Sequence, residues 1–383
     1  MDASRFDDLA RSLFHPRSRR AAAGLLGGLA LVPALGLTET SGKKKKKVTL
    51  CLNGETITAS SKARKKLLKQ GATVGACQTP PPPCTPQCNG VACGVSDGCG
   101  GTCGCAAGSL CYQSTCRSCT VNCASNPIAC GNDLSQKLID GGTIYVCPGT
   151  YGGPFDITTP TTLIGAGPGD DPASNTILDG RQVGTTVVVS ASATLAQAQV
   201  TGRRAIVDAA GGIQIQNVDV QITDCKIKNN QGVKGGGIGV ENANARLRLN
   251  SSIVEGNSAL DWGGGIYLYN TKKSFITDCI IDGNAQTTGP TGSGGGGLAI
   301  NNAGEGVNIT RTRFTRNSAK RNGGGGIHGY FGKVVLDPST VITDNSTEGA
   351  TQAGGILQEA GLLQTNGATI ENNTPLNCVG AGC

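Results

Sequence analysis

The feature that most limits how this chain can fold is a recurring pair: an aliphatic or Phe residue followed three positions later by Asn. The pairs are Ile227/Asn230, Val254/Asn257, Ile281/Asn284, Phe314/Asn317, Ile342/Asn345 and Ile370/Asn373. Successive asparagines are separated by 27, 27, 33, 28 and 28 residues. Between them sits a Gly-Gly-aliphatic element: Gly236-Gly237-Ile238, Gly264-Gly265-Ile266, Gly296-Gly297-Leu298, Gly325-Gly326-Ile327 and Gly354-Gly355-Ile356. A repeat of this length means a solenoid, in which each unit buries its apolar face only by stacking on its neighbours.

Each period holds short alternating stretches, such as Ile266-Tyr-Leu268 and Val307-Asn-Ile309, and nothing of helix length. Two or three short strands per turn, joined by Gly and Asn corners, predict a β-coil. The paired glycines serve corners that need positive φ or close backbone approach. An Asn at the same place in every coil stacks rung upon rung, so Asn230, Asn257, Asn284, Asn317, Asn345 and Asn373 are expected to form a structural ladder. Glycine makes up 60 of 383 residues and aromatics only 3%, which suits a thin, repetitive core.

On these motifs the chain resembles the right-handed parallel β-helix repeat proteins, including the pectin-lyase-like superfamily. The pairing of Phe314-Thr-Arg-Asn317 with Gly-Gly-Ile is also similar to repeats of the polymorphic outer-membrane-protein type. The resemblance covers residues 131–383 and implies an all-β fold, a right-handed parallel β-helix. Asp133 to Ile139 reads as a capping helix in front of the first coils, and such a cap covers an otherwise aggregation-prone strand edge. The calcium-binding nonapeptide roll is excluded, because its glycine-aspartate array is missing from the sequence.

The register bears on two cysteines. Cys225 and Cys279 each lie five residues before a ladder Asn, with Ser252 in the coil between. Two rungs put them roughly 9–10 Å apart, beyond the Cα separation of about 7 Å that a disulfide tolerates. They are expected to be buried free thiols. Cys378 and Cys383 are close enough in sequence to close a small loop.

Of 18 cysteines, 14 fall between Cys51 and Cys147, which implies an oxidising compartment and a disulfide-dense front. Residues 43–79 form a basic linker and a small module bounded by Cys51 and Cys77. That module resembles one found in exported bacterial proteins, with Leu52 standing where the family has His; the resemblance implies a Cys51–Cys77 disulfide. Residues 80–130 begin with the stiff Pro80–Pro83 spacer. Cys84, Cys88, Cys93, Cys99, Cys103, Cys105, Cys111 and Cys116 follow, with Cys119, Cys123, Cys130 and Cys147 completing the set. The run Cys93-Gly-Val-Ser-Asp-Gly-Cys99-Gly-Gly-Thr-Cys103-Gly-Cys105 is similar to a Cys/Gly module of secreted bacterial proteins. Disulfides are expected throughout, with the pairing open and zinc the competing reading of such short spacings.

Charge is segregated too. Residues 43–70 carry ten Lys or Arg against one Glu, a net of +9 in a chain whose total is +7. Lys43–Lys47 reads as a solvated linker; as a functional element it would hold the protein on an anionic cell-wall polymer or acidic polysaccharide. Nothing in the sequence points to specific nucleic-acid recognition. At the N-terminus, residues 1–42 read as a signal segment: Arg19-Arg20 precede seventeen uncharged residues, Ala21–Leu37. This layout resembles twin-arginine export, with cleavage or anchoring both open and no membrane span expected in the mature chain.

Candidate chemistry is sparse. His15 and His328 are the only histidines, and His15 lies in the signal segment. Counted from the Gly-Gly elements, one outward column reads Gly239, Tyr267, Ala299, His328, Leu357, and its neighbour Glu241, Tyr269, Asn301, Tyr330, Glu359. With Trp262 in the preceding corner, this gathers scarce aromatics on one face. Trp262, Tyr267, Tyr269, Asn301, His328 and Tyr330 are therefore the candidate ligand-binding set, suited to sugars by stacking and hydrogen bonds; cross-rung aromatic packing is the alternative. A second outward column reads Lys228, Glu255, Asp282, Thr315, Thr343, Glu371. Glu255 and Asp282 on adjacent rungs are the candidate catalytic pair, or a place for Ca²⁺.

The sequence thus leads to an exported cell-surface or secreted β-helix, a non-catalytic binding, adhesive or structural protein with carbohydrate as candidate ligand. The alternative is a polysaccharide lyase or glycoside hydrolase acting on an acidic, plant or microbial polysaccharide.

Overall fold

The computed structural model describes residues 47–53, 55–77, 88, 92–96, 103–123, 126–182, 184–202, 209–288, 294–320 and 323–383. The signal segment with Arg19-Arg20 and His15, Lys43–Lys46, Pro80–Pro83, Cys84 and Cys99 lie outside the described residues. The chain forms two compact units, divided near residue 86.

The smaller unit is a hairpin of Lys47–Leu52 and Glu55–Ser60, with Thr73–Val74 on the free side of the first strand. Helix α1 spans Ser61–Lys69, and Ser60 caps it by accepting from the Ala63 N–H at 3.4 Å. Leu50, Ala59 and Ala72 are its buried centre, with Ala63 and Leu67 of the helix packed on them. So small a core needs a staple, and Cys51 is bonded to Cys77.

In the larger unit the cysteine-rich front holds a hairpin, Ser109–Tyr112 with Thr115–Ser118. The observed bonds are Cys88–Cys103, Cys93–Cys111, Cys105–Cys116, Cys119–Cys147 and Cys123–Cys130. The zinc reading falls here. The sulfurs of Cys93, Cys105 and Cys116 lie within 4.8 Å of one another, but all three are bonded to other sulfurs or to each other. Leu110 of the hairpin packs with Ile164, Ala196 and Tyr145, covering apolar residues on the outside of the first coils.

Helix α2, Pro127–Asp140, caps the solenoid. It starts six residues ahead of the sequence expectation because Asn126-Pro127 supplies an N-cap followed by a proline suited to the first turn. Cys130, Gly131, Leu134 and Leu138 face inward. A Cβ on Gly131 would sit 1.9 Å from the Gly152 carbonyl oxygen, so the helix rests directly on the first coil.

The body is a right-handed parallel β-helix built from three parallel sheets of nine strands each. Sheet 1 runs from Gly142–Tyr145 to Gly361–Gln364, sheet 2 from Gly149–Gly152 to Thr369–Glu371, and sheet 3 from Phe155–Ile157 to Leu376–Gly380. A fourth sheet of five short strands, Gln231–Lys234 to Ser346–Thr347, is inserted between sheets 2 and 3 in the central coils. Like residues stack in register, for example Ile227, Val254, Ile281, Phe314 and Ile342 along sheet 2. These side chains are buried in one continuous core, each contributing about 1.5–3 kcal/mol relative to exposure.

The corners separate two roles that the sequence left joined. The residue before each ladder Asn adopts the left-handed conformation: Asn229, Gly256, Gly283, Arg316, Asp344 and Asn372. The paired glycines do not. A Cβ on Gly236 would meet the Gly264 and Ser258 carbonyl oxygens at 2.2 and 2.4 Å. Their requirement is room, where the fourth sheet, the corner and sheet 3 converge.

Candidate functional site

The two outward columns of sheet 3 are in the expected register. Gly239, Tyr267, Ala299, His328 and Leu357 stack in one; Glu241, Tyr269 and Asn301 in the other, with Tyr330 just past the Ile327–Gly329 strand and bonded to the Ile300 carbonyl at 2.9 Å. Their exposure differs. Tyr267 is 2% and His328 0% exposed, whereas Tyr269 is 41% exposed and Asn301 and Tyr330 are half-buried.

The fourth sheet is the reason. Gly263, at φ +61°, turns the chain so sharply that a Cβ would lie 2.1 Å from the Ile266 carbonyl oxygen. Trp262 is thereby laid over the outer face of sheet 3. Its ring stacks on His328 at 5.6 Å and 18°, and stands 6.0 Å from Tyr267 and 5.7 Å from Tyr330. A Cβ on Gly294 would approach His328 Nδ1 to 2.4 Å, so backbone also covers the imidazole. His328 Nε2 lies 3.0 Å from Glu359 Oε1. Tyr267 and His328 thus form a buried base, and Tyr269 and Tyr330 form its open edge.

Tyr269 lies parallel to Tyr267, at 6.1 Å and 11°. Phe331, absent from the sequence expectation, is 49% exposed and meets Tyr330 edge-on at 4.7 Å. It has no counterpart in neighbouring coils, so the repeat carried no signal for it. Tyr269, Asn301, Tyr330 and Phe331 make an aromatic ledge with an amide between its rings, and Glu359 continues the column.

The second candidate pair is also in register, Lys228–Glu255–Asp282–Thr315 running along sheet 2. Each carboxylate is engaged by a neighbour. Glu255 pairs with Lys226 at 2.9 Å. Asp282 pairs with Arg316 and accepts from Thr315 Oγ1 at 2.6 Å. Asp170 folds in from the preceding turn to pair with Lys228 and lies 3.7 Å from Lys226. Burial opposes its ionisation, but the bond from Lys228 and the two ammonium charges outweigh this and hold its carboxyl below the usual range. The carboxylates thus belong to a lattice in which Asp170, Glu255 and Asp282 are matched by Lys226, Lys228 and Arg316.

The six-member Asn ladder is continuous and gains a seventh member. Asn230, Asn257, Asn284, Asn317 and Asn345 each donate backbone N–H and Nδ2 to the next Oδ1 at 2.9–3.1 Å. Asn373 donates to Asn377. Asn377 lies outside the repeat spacing, which is why the sequence did not mark it. Cys225 and Cys279 are buried free thiols. Their Sγ atoms donate to the Thr223 and Thr277 carbonyls at 3.3 and 3.0 Å, and burial pushes both pKa values up to about 12. Cys378 is bonded to Cys383.

A shallow groove of about 400 Å³ crosses the outside of sheet 1 at the first coils, lined by Thr143, Thr162, Thr194, Gln221, Asp219 and Arg248. Arg248 lies 5.2 Å over the Phe275 ring.

The stacked parallel sheets, the Asn ladder and the lateral ledge define the protein as a β-helix solenoid with side chains presented on its flanks. In agreement, residues 173–276 match a family model described as the right handed beta helix region. No curated protein and no solved structure matches the chain significantly.

Proposed function

We propose that this is an exported, non-catalytic β-helix that binds carbohydrate on the aromatic ledge of sheet 3. The observation that carries the reading is that Tyr269 and Tyr330 share one outward column, two rungs or roughly 10 Å apart, with the Asn301 amide between them. Aromatic faces bind the apolar faces of sugar rings, and an amide between them serves the hydroxyls. The buried Tyr267 and His328, with the half-buried Trp262 laid across them, hold the ledge rigid before any ligand arrives, which lowers the entropy lost on binding. Export is supported by the seven disulfides among the described residues. No helix among the described residues is long and apolar enough to cross a membrane.

The test uses the full chain with its disulfides formed, mixed with plant, fungal and bacterial polysaccharides. Binding, new reducing ends and ultraviolet absorbance of unsaturated products are followed together. Retention without turnover, lost in Tyr269→Ala and Tyr330→Ala, is the expected result. Product formation abolished by Glu255→Gln or Asp282→Asn would replace this reading with the lyase or hydrolase alternative.

A further inference from the structure

The smaller unit brings together charges that are separate in sequence. Lys47, the last of the five-lysine run, pairs across the hairpin with Ser60. Ser60 is the N-cap of α1. Lys47 therefore stands beside the start of a helix whose sequence is Ser-Lys-Ala-Arg-Lys-Lys-Leu-Leu-Lys.

On α1, Lys62, Lys65, Lys66 and Lys69 stand at i, i+3, i+4 and i+7, which places them on one stripe. Ala63 and Leu67 occupy the side that packs on the sheet. All four lysines, Arg64 and Lys47 are exposed, and among the described residues none of them has an ion-pair partner. Glu55 is the single acid between Lys47 and Cys77. Like charges at i, i+3 and i, i+4 repel, and Lys62 sits at the end of the helix that disfavours cations, with no acid in the first turn to offset it. The unit thus carries a concentrated positive surface that its own fold does not neutralise.

We infer that this surface, formed by Lys47 and the Lys62–Lys65–Lys66–Lys69 stripe, docks the protein on a linear anionic glycopolymer bearing phosphodiester or carboxylate charges. Three observations choose that partner. No aromatic residue lies between Lys47 and Cys77, so bases have no ring to stack on. Lysine outnumbers arginine five to one in this set, which favours delocalised attraction to a charged chain over bidentate reading of fixed groups. Ala63 and Leu67 of α1 are spent on its own sheet and Leu68 is the one large apolar side chain of the helix left exposed, too little to make an apolar face that enters a lipid surface. The inference is independent of the ledge, which lies in the other unit.

The test measures binding of the full, disulfide-bonded chain to immobilised poly(glycerol phosphate), polygalacturonate and neutral dextran, and to phosphatidylglycerol-containing vesicles, across a salt series. Binding to either or both anionic polymers is expected, with a log–log salt slope of roughly −3.5 if five cations each release about 0.7 counterion. Replacing the four stripe lysines by Gln should weaken binding at 0.1 M salt on the order of tenfold or more and flatten the slope, whereas the four-Arg variant keeps both. Unchanged binding in the Gln variant, loss in a folded Arg variant, equal retention on dextran, or binding to vesicles alone would each overturn the inference.

Discussion

Asn284 donates both its backbone N–H and its side-chain Nδ2 to Oδ1 of Asn317, at 3.0 and 2.9 Å, and the same Nδ2 reaches the Val254 carbonyl one turn back at 2.9 Å. Asn284 thus joins three consecutive coils, and all three bonds are buried. The ladder also has a direction: amide groups point toward the C-terminal coil, carboxamide oxygens toward the preceding one.

Asn284→Ala removes the acceptor for the backbone N–H and Nδ2 of Asn257 and the side-chain donor to the Val254 carbonyl, while its backbone N–H still serves Asn317 Oδ1. With each buried orphan costing about 1–3 kcal/mol, a loss of about 3 kcal/mol is expected. Asn373→Ala, near the open end where the bonds to Asn377 are only partly buried, should cost less. Urea unfolding with an unchanged m-value would report both, and equal losses would contradict a ladder that weakens toward its end.

Two glycines separate backbone shape from space. Gly283 has φ +60° and nothing within 4 Å of the point where a Cβ would sit, whereas a Cβ at Gly325 would meet the Ser346 and Gly354 carbonyl oxygens at 2.3 and 2.4 Å. Gly283→Ala should therefore cost only about 1 kcal/mol, from left-handed strain. Gly325→Ala must push backbone apart and should cost about 3 kcal/mol or more. Thermal melts of the two variants side by side would decide the order.

Cys225 and Cys279 should resist alkylation at pH 8 in the native protein and react as two thiols in denaturant. Burial raises their folded pKa to about 12 from an ordinary value of 9.0. The neutral thiol is thus favoured in the folded state. The associated stability is complete below pH 9 and is lost as the pH rises toward 12, because the unfolded chain ionises first. Between them in the stack stands Ser252, whose Oγ accepts from the Cys225 N–H at 3.1 Å. Cys279→Ser should accordingly be tolerated, with a stability change near 1 kcal/mol, and a large loss on that substitution would refute the equivalence of thiol and hydroxyl at this corner.

Asp282→Asn keeps the Thr315 bond and removes the attraction to Arg316, itself 56% exposed. Because the cation is largely solvated, the cost should be no more than about 1 kcal/mol. Denaturant titration at low and high salt checks this, the difference from the parent chain shrinking as salt rises.

Residue type and spacing were enough to read the ladder asparagines, the buried apolar columns and the position of Tyr269 beside Asn301, because in a parallel coil the repeat itself specifies which residues stack. Burial on the outer face was not legible in the same way. Tyr267 and His328 alternate with core residues just as Tyr269 does, yet Trp262 and the backbone near Gly294 cover them. That cover comes from a fourth sheet whose strands are as short as Ala285–Gln286, too short to leave a periodic signal. The neutralisation of Glu255 and Asp282 was equally hidden, since Lys226 and Arg316 act through side-chain reach and not through register.

The solenoid follows from the order of residues alone: a repeated apolar–Asn–Gly-Gly pattern can bury its apolar residues only by stacking coil on coil. Folding in three dimensions settles which outward residues remain accessible, which cysteines are joined, and which distant charges meet, as Lys47 meets the start of α1 at Ser60. Stacking comes from periodicity, which is local and additive; accessibility and pairing depend on how segments without a period fold across the coils.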